Sequence, residues 1–247
     1  MIKFFRRIRQ QLLSKNKFSK YILYALGEIL LVVIGILIAL QINNRNEEKR
    51  DHAFEIRMLN EVKKALDNDI AYFKRMIDRY EKLDSSVTQF VRLIHQKASF
   101  NDTLYRNGSS RWYYLRTGNN YIYNRGPYEA IKSSGLDRIS NDSLRNQLVN
   151  LYDFEFPRNK ELMLWADRDY EDDTKQLESF LGPNFIEIVD GEEEILSKFP
   201  EDLLQRPRFL ELLRNMRERA RLYNMWVGMF IIKMEGMSQV LNRAIEE

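Results

Sequence analysis

Cysteine is absent from the chain, and turn-forming residues are scarce: the 247 residues include two His, ten Gly and five Pro. Without Cys there is no disulfide framework, no thiolate zinc or iron–sulfur site and no cysteine nucleophile. The two histidines, His52 and His95, are too far apart along one helix to share a metal ion. Few turn formers predict few turns and long helices.

Most of the chain also lacks an excess of charge of one sign. The net charge is +3, but residues 1–20 hold seven Lys or Arg and no acid, so the remainder is slightly acidic with mixed signs. Such a surface lacks the one-sided basic field that binds phosphate backbones. We therefore expect no nucleic-acid partner.

Residues 21–42 form one apolar run, YILYALGEILLVVIGILIALQI, in which Glu28 is the single charged side chain. About 20 apolar residues in a helix span the ~30 Å hydrocarbon core of a bilayer. The run is longer than the apolar part of a signal peptide, and no small-residue cleavage site follows it. We predict an uncleaved transmembrane helix, with the basic N-terminus in the cytoplasm by the positive-inside rule.

The predicted organisation has three parts: a basic cytoplasmic segment, a transmembrane helix and an extracytoplasmic domain. Their residues are 1–20, 21–42 and 43–247. In the first part, apolar residues recur at helical spacing among cations, which favours an amphipathic helix on anionic lipid head groups. A disordered basic tail is the alternative. The lipid bilayer is thus an expected partner.

The carboxyl group inside the predicted membrane helix needs protein contacts or a proton, because an ionised acid that faces lipid is costly. Helical spacing places it on one stripe with small residues. The stripe consists of Ala25, Glu28, Val32, Gly35 and Ala39. Since small residues let two helices approach closely, we predict a homo-oligomer or contact with another membrane protein through this stripe. Glu28 is then either a neutral carboxyl at a helix interface or a proton or ion site.

Two stretches of the outer domain carry apolar residues at seven-residue intervals, which predicts two long helices that pack along a seam. The first seam is Leu59, Val62, Leu66, Phe73, Met76, Tyr80, Leu83, Val87, Phe90 and Ile94. Asp69 is its single exception. The second seam is Phe209, Leu213, Met216, Ala220, Tyr223, Val227, Phe230, Met234, Met237, Leu241 and Ala244. The two helices pair either antiparallel within one chain or between chains, and the apolar run 225–232 is expected to be fully buried.

Shorter helices are predicted between the long ones from their end signals. Pro127 opens and Gly135 closes one helix, and Asn141 or Asp142 caps the next. Pro157 then breaks or kinks the chain before one helix over residues 160–181.

Strand patterns are rare. Residues 111–125 alternate around Gly118 and predict a small β-hairpin, and residues 185–190 predict one short strand. The glutamates at 192–194 are interpreted as first-turn acids of a helix. The expected fold is mainly α: one N-terminal transmembrane helix, then an extracytoplasmic, coiled-coil-like bundle of four to five helices built on the two long ones, with the small β-hairpin added to it.

Three segments stand out as wholes: MIKFFRRIRQ, NKFSKYILYALGEILLVVIGILIALQINNRNEE and YEAIKSSGLDRISNDSLRNQLVNLYDF. They resemble an uncharacterised family of small, single-span inner-membrane proteins of diderm bacteria, over roughly residues 1–50 and 127–153. Arg45 stands where that family typically has Trp. The resemblance implies an inner-membrane location and a periplasmic helical domain. It implies no activity, cofactor or catalytic residue.

Common catalytic motifs are missing, since the sequence has no GxSxG, HExxH, P-loop or GxGxxG. The acidic run at residues 167–173 imitates the start of a calcium loop but lacks the turn glycine and the closing acid, so we interpret it as a solvated face. We expect neither a metal ion nor a cofactor, and no enzymatic activity.

Aromatic and basic side chains interleave over residues 111–125, which suits stacking on sugar or peptide and binding of a carboxylate. The candidate ligand or partner site is Arg111, Trp112, Tyr113, Tyr114, Arg116, Tyr121, Tyr123 and Arg125. Inward packing of the same rings is the alternative.

The sequence therefore predicts a membrane-anchored, non-enzymatic interaction, scaffold or sensing module of the bacterial envelope, which acts through a partner or through self-association. One alternative is a subunit of a homo-oligomeric membrane assembly with Glu28 as an intramembrane proton or ion site. An envelope enzyme is a more distant alternative.

Overall fold

The computed structural model describes residues 18–98, 109–118, 120–180, 185–189, 191–196 and 202–246, and these are mainly helical. The chain divides into two compact units, Met1–Ile56 and Arg57–Glu247. Helix α1, Phe18–His95, contributes residues to both.

In the first unit, all described residues belong to α1. An 18-residue window of this helix has a mean hydropathy of 2.5, and none of the window is buried. Of the helices in the described residues, α1 is the one long and apolar enough to cross a membrane. The amphipathic segment predicted for residues 1–20 falls almost wholly outside the described residues.

The second unit continues from α1 into shorter elements and ends with a long helix. Its further helices are α2 (Ser109–Leu115), α3 (Gly126–Ser134), α4 (Asp142–Val149), α5 (Phe156–Ala166), α6 (Tyr170–Ser179) and α7 (Pro207–Glu246). Two strands, β1 (Phe185–Val189) and β2 (Glu192–Leu196), pair antiparallel. Single 3₁₀ turns occur at Leu136–Arg138 and Leu203–Gln205. A π-helical segment, Asn150–Glu155, joins α4 to α5.

Both predicted seams lie in the core. Every seam position is buried, Asp69 included, except Ile94 and Ala244 at the ends, which are half-buried. Ring contacts join Phe73 to Phe230, Tyr80 to Tyr223 and Phe90 to Phe209. Partner numbers on α7 fall as those on α1 rise. The two long helices therefore pack antiparallel within one chain.

The expectation that the apolar run of α7 is fully buried is wrong. Val227, Phe230 and Ile231 are buried, but Met225, Met229 and Ile232 are 50–69% exposed. The exposed residues recur at helical spacing, so they form a stripe on the side of α7 that faces away from the core. A continuous apolar run hides this division between two faces.

The hairpin predicted for residues 111–125 is also wrong. The first half is helix α2, and no described residue from 116 to 125 belongs to a strand. Trp112 and Leu115, three residues apart, both lie in the core. These two residues share one face of a helix, so they pack between helices and do not form cross-strand pairs in a hairpin.

The one hairpin of the described residues is β1–β2. The strand predicted at residues 185–190 is confirmed over 185–189, and residue 190 lies outside the described residues. The interpretation of residues 192–194 as a helical turn is wrong. Only Asp190 and Gly191 separate the two strands, and Gly191 has φ +88°. A glycine with positive φ is typical of the tight turns that connect the two strands of a hairpin.

The predicted helix ends are confirmed at three points. Pro127 lies in the first turn of α3, and Gly135 follows its end with φ +105°. The Asn141 side chain accepts a hydrogen bond from the backbone N–H of Leu144 and so caps α4. Pro157 is the second residue of α5, and the chain stays helical from α4 through the π-helical segment into α5, so the break predicted at Pro157 is not present.

Candidate functional site

The exception in the first seam, Asp69, is the centre of the candidate site. Asp69 is buried, with 6% of the residue's surface exposed. The backbone N–H of Asn124 donates to both carboxylate oxygens, at 3.1 and 3.0 Å. Among the described residues no Lys, Arg or His forms an ion pair with this carboxylate. Asp69 is thus a buried acid whose compensation comes from one peptide group.

Residues 120–125, here called the strap, pass over this carboxylate without regular secondary structure. The Tyr72 hydroxyl donates to the Asn120 carbonyl, which fixes one end of the strap on α1. The Tyr121 hydroxyl donates to the Phe156 carbonyl at 3.1 Å, and the Tyr123 ring stacks on Phe156 with centroids 4.1 Å apart. The strap therefore joins α1 to the start of α5.

A second carboxylate anchors the far end of the strap. Asp153, in the π-helical segment, accepts hydrogen bonds from Tyr128 at 2.7 Å, from Lys132 at 2.9 Å and from Arg125. We call these four residues the Asp153 cluster. Stacking of Tyr128 on Tyr152, with centroids 4.6 Å apart, holds α3 against the π-helical segment.

The pKa values of the two aspartates are shifted in opposite directions. Burial raises the pKa of Asp69 to about 6, and the Asn124 hydrogen bond lowers it only in part. Burial also acts to raise the pKa of Asp153, but hydrogen bonds from Lys132 and Tyr128 outweigh burial, and the pKa falls below 3.8. Asp69 can therefore exchange a proton in mildly acidic solution, whereas Asp153 stays ionised.

The π-helical segment ends at a further buried acid. Glu155 is 8% exposed and forms an ion pair with Lys233 of α7 at 2.7 Å. Its carbonyl accepts a hydrogen bond from the buried Asn159 side chain at 2.8 Å. The wide turn thus brings an acid of one helix to a cation of another.

A buried arginine lies between α5, α6 and α7. Arg219 is 5% exposed; its guanidinium is 3.8 Å from Asp167 and 3.6 Å from Asp173, and the Tyr170 ring lies 4.9 Å away. We call these four residues the Arg219 cluster. Burial raises the pKa of Asp173, and Arg219 acts in the opposite direction. A Cβ atom at Gly118 would overlap the Tyr170 ring, so a larger residue there would displace this ring.

This cluster explains two wrong expectations. The helix predicted over residues 160–181 is interrupted at 167–169, where the chain turns around the guanidinium. The acidic run is not wholly solvated, because Asp173 is buried and Asp167 is half-buried. An open cavity of about 270 Å³ borders the cluster. It is lined by Trp165, Ala166, Arg168, Asp169, Asp173, Asn215, Glu218, Arg219 and Leu222.

The predicted aromatic and basic site is distributed among several contacts. Trp112 is buried against Phe209, and Arg116 pairs with Glu178 at 2.6 Å. Tyr113 is exposed, while Tyr114 is half-buried beneath Lys82. Tyr121, Tyr123 and Arg125 belong to the strap and its contacts. The side chain of Arg111 lies outside the described part.

The predicted membrane stripe lies on the described part of α1. Val32, Gly35 and Ala39 are exposed, and Ala25 and Glu28 are half-buried. A Cβ atom at Gly35 would meet no atom within 4 Å. The role of the stripe as a helix interface stays a prediction.

The chemistry available at these centres is proton exchange and ion pairing. In the residues that the structure covers, no group of three His, Cys, Asp or Glu is arranged to hold a metal ion. No sequence pattern predicted the Asp153 and Arg219 clusters, and Asp69 was visible only as an exception in the first seam. An acid in an otherwise apolar seam is a usable signal for a buried functional group.

A comparison with known protein families gives one match, a family of unknown function (DUF6090), over residues 28–185. This range includes Asp69, the strap and Asp153, and it ends before α7. No curated protein and no solved structure matches the chain. The match covers more than half of the residues and agrees with the resemblance to an uncharacterised family. The chain therefore belongs to DUF6090, a family of unknown function.

Proposed function

We propose that the chain is a single-pass, membrane-anchored module of the bacterial envelope, without enzymatic activity, that senses or binds through its outer domain. The observation that carries the proposal is the apolar window of α1, in which no residue is buried. An exposed surface of this hydropathy is stable in lipid and unstable in water. The inner membrane of a diderm bacterium is the proposed location.

The charge on either side of the window supports an orientation. Seven cations precede it, and residues 43–48 after it, NNRNEE, are polar with one cation and two acids. Cytoplasmic flanks are enriched in Lys and Arg, so we place residues 1–20 in the cytoplasm against anionic lipid head groups. Residues 43–247 are then periplasmic.

The use of the polar groups supports a binding or sensing role over catalysis. Asp153, Glu155 and Arg219 each contact charged groups of neighbouring helices, so their charges stabilise the fold. The exposed stripe of Met225, Met229 and Ile232 favours contact with another molecule, since soluble monomers rarely leave large apolar patches in water.

Membrane topology is the first test. Because the sequence contains no native Cys, an introduced cysteine is the one thiol that a maleimide can label. Single-cysteine variants Ser14→Cys and Ser143→Cys are treated with a membrane-impermeant maleimide in spheroplasts and again after lysis. We expect the S143C variant to react in spheroplasts and the S14C variant only after lysis. Equal labelling of both in spheroplasts, or recovery of the protein in the aqueous fraction after a carbonate wash, would refute the proposal.

The rival function, a homo-oligomeric assembly with an ion path at Glu28, has its own test. Gly35→Cys and Ala39→Cys variants are oxidised in membranes, and proton flux is compared between the unchanged chain and a Glu28→Gln variant. Cross-links together with flux lost on Glu28→Gln would favour the rival. Cross-links with unchanged flux fit a module that associates through its membrane helix, as the small residues at 35 and 39 predict.

A further inference from the structure

Asp69 is the one feature that the proposed function does not use. A carboxylate taken out of water is costly unless a cation or several donors compensate it. Here the compensation in the described residues is a single peptide N–H, that of Asn124. Protonation removes the charge and the cost, so a buried acid in these surroundings binds a proton more readily than an exposed acid.

Among the described residues, the groups around Asp69 include no unpaired cation. From the strap, Tyr121 and Tyr123 contribute neutral hydroxyls, and from the π-helical segment come Tyr152 and the acid Glu155. Lys233 of α7 is already paired with Glu155 at 2.7 Å. On α1 itself the Tyr72 hydroxyl is used by the strap. The surroundings are thus neutral hydroxyls and a compensated ion pair.

Burial of Asp69 depends on the strap. The strap supplies the only described donor to the carboxylate, and its tyrosines pack over α1 and α5 through Phe73 and Phe156. Within the strap, Asn120, Ile122 and Asn124 are exposed, whereas Tyr121, Tyr123 and Arg125 are half-buried. A short segment without regular secondary structure opens at lower free energy than the helices beneath it. Opening returns the carboxylate to water, where its pKa is ordinary.

We propose that closure of the strap over Asp69 is coupled to uptake of a proton by this carboxylate, so that the strap is closed more firmly in acid than at neutral pH. The segment is then a pH-responsive latch of the outer domain. The latch does not rest on membrane anchoring, and it is tested separately from topology. In an extracytoplasmic domain it would respond to the pH outside the inner membrane.

The direction follows from linkage. In the closed state the pKa of Asp69 is about 6, and with the strap open it returns toward 3.8. Closure is therefore favoured fully below the lower value and loses this contribution as the pH rises through the higher one. Between pH 7.5 and pH 5 the closed state gains about tenfold over the open state.

Hydrogen exchange measured by mass spectrometry on the full chain in nanodiscs tests the latch. Protection factors, corrected for the intrinsic pH dependence of exchange, are compared at pH 5, 6 and 7.5 for peptides that cover the strap and for α4 as an internal reference. We expect strap protection relative to α4 to rise about tenfold from pH 7.5 to pH 5. A flat ratio for the unchanged chain overturns the proposal, whatever any variant does.

Asp69→Asn is the matched variant, because the amide oxygen still accepts from Asn124 but carries no charge. We expect this variant to keep high strap protection at every pH. Asp78→Asn, at an exposed acid of the same helix paired with Lys82, is the control and should keep the pH response. If Asp69→Asn retains the response of the unchanged chain, another group takes up the proton and the assignment to Asp69 fails.

Discussion

Asp69 and Asp153 both hold the strap, yet they do so in opposite electrostatic states. Asp153 has three side-chain donors, two of them cations, and its pKa lies below 3.8. Asp69 has one peptide N–H, and its pKa is about 6. The difference teaches that the number and charge of the donors, together with depth, decide whether a buried acid stabilises the fold in its ionised or its neutral form.

The largest expected effect comes from removal of the compensated acid. Asp153→Ala leaves Tyr128 without its acceptor and separates Arg125 and Lys132 from their shared partner. We expect a loss of about 2–3 kcal/mol in the free energy of unfolding at pH 7, measured by denaturant titration. Asp142→Ala, at an exposed acid with one ion pair, is the control and should cost less than half as much. Equal losses would mean that the cluster adds nothing beyond a surface pair.

Removal of the uncompensated charge of Asp69 should raise the free energy of unfolding instead of lowering it. Asp69→Asn keeps the acceptor for Asn124 and deletes a buried charge, so we expect a gain of at least about 1 kcal/mol in unfolding free energy at pH 7.5. The gain should shrink as the pH approaches 5, where the native acid is already protonated. Thermal melts at the two pH values measure it. Destabilisation at pH 7.5 would show that the ionised form is the one the fold prefers.

The pH profile of the unchanged chain separates the two acids without mutation. The contribution of Asp69 is fully present below pH 3.8 and is lost as the pH rises through about 6. That of Asp153 is present above its ordinary value of 3.8 and is lost as the pH falls through its lower folded value. We expect a maximum in melting temperature between about pH 4 and 5. A melting temperature that rises steadily from pH 5 to pH 7.5 would contradict the raised pKa.

The smallest expected effect concerns one donor of the compensated cluster. Lys132 is 40% exposed at its side chain, and Asp153 keeps Arg125 and Tyr128 when this lysine is removed. We expect Lys132→Ala to cost about 0.5 kcal/mol, with a dependence on salt typical of exposed pairs. Denaturant titration at low and high ionic strength measures both quantities. A cost above that of Asp153→Ala would mean that the lysine has a partner beyond this cluster.

The long helices were predictable because their signal is repeated many times. Seven-residue spacing marked nearly every buried position of both seams, and the ring pairs Phe73–Phe230 and Tyr80–Tyr223 then decided between pairing within a chain and pairing between chains. That choice needs three-dimensional information, since one seam pattern fits both arrangements.

The candidate site was less predictable because its partners are distant in sequence. Asp69 was visible as an exception, but Asn124 is 55 residues away and contributes only its backbone N–H, which leaves no trace in side-chain chemistry. Arg219 of α7 contacts Asp167 at the turn between α5 and α6, and local propensity does not predict a contact between residues so distant in sequence. In residues 111–125 alternation of aromatic residues imitated a hairpin, while burial followed the spacing of Trp112 and Leu115.

The antiparallel pairing of α1 with α7 also sets the order of events during synthesis. Phe73 and Tyr80 meet partners that the ribosome adds roughly 150 residues later. Contacts between residues so far apart form late and slow folding. Until residues 207–246 have been made, the apolar seam of α1 lacks its partners on α7 and stays partly exposed. We therefore expect nascent chains to need a chaperone until α7 has been synthesised.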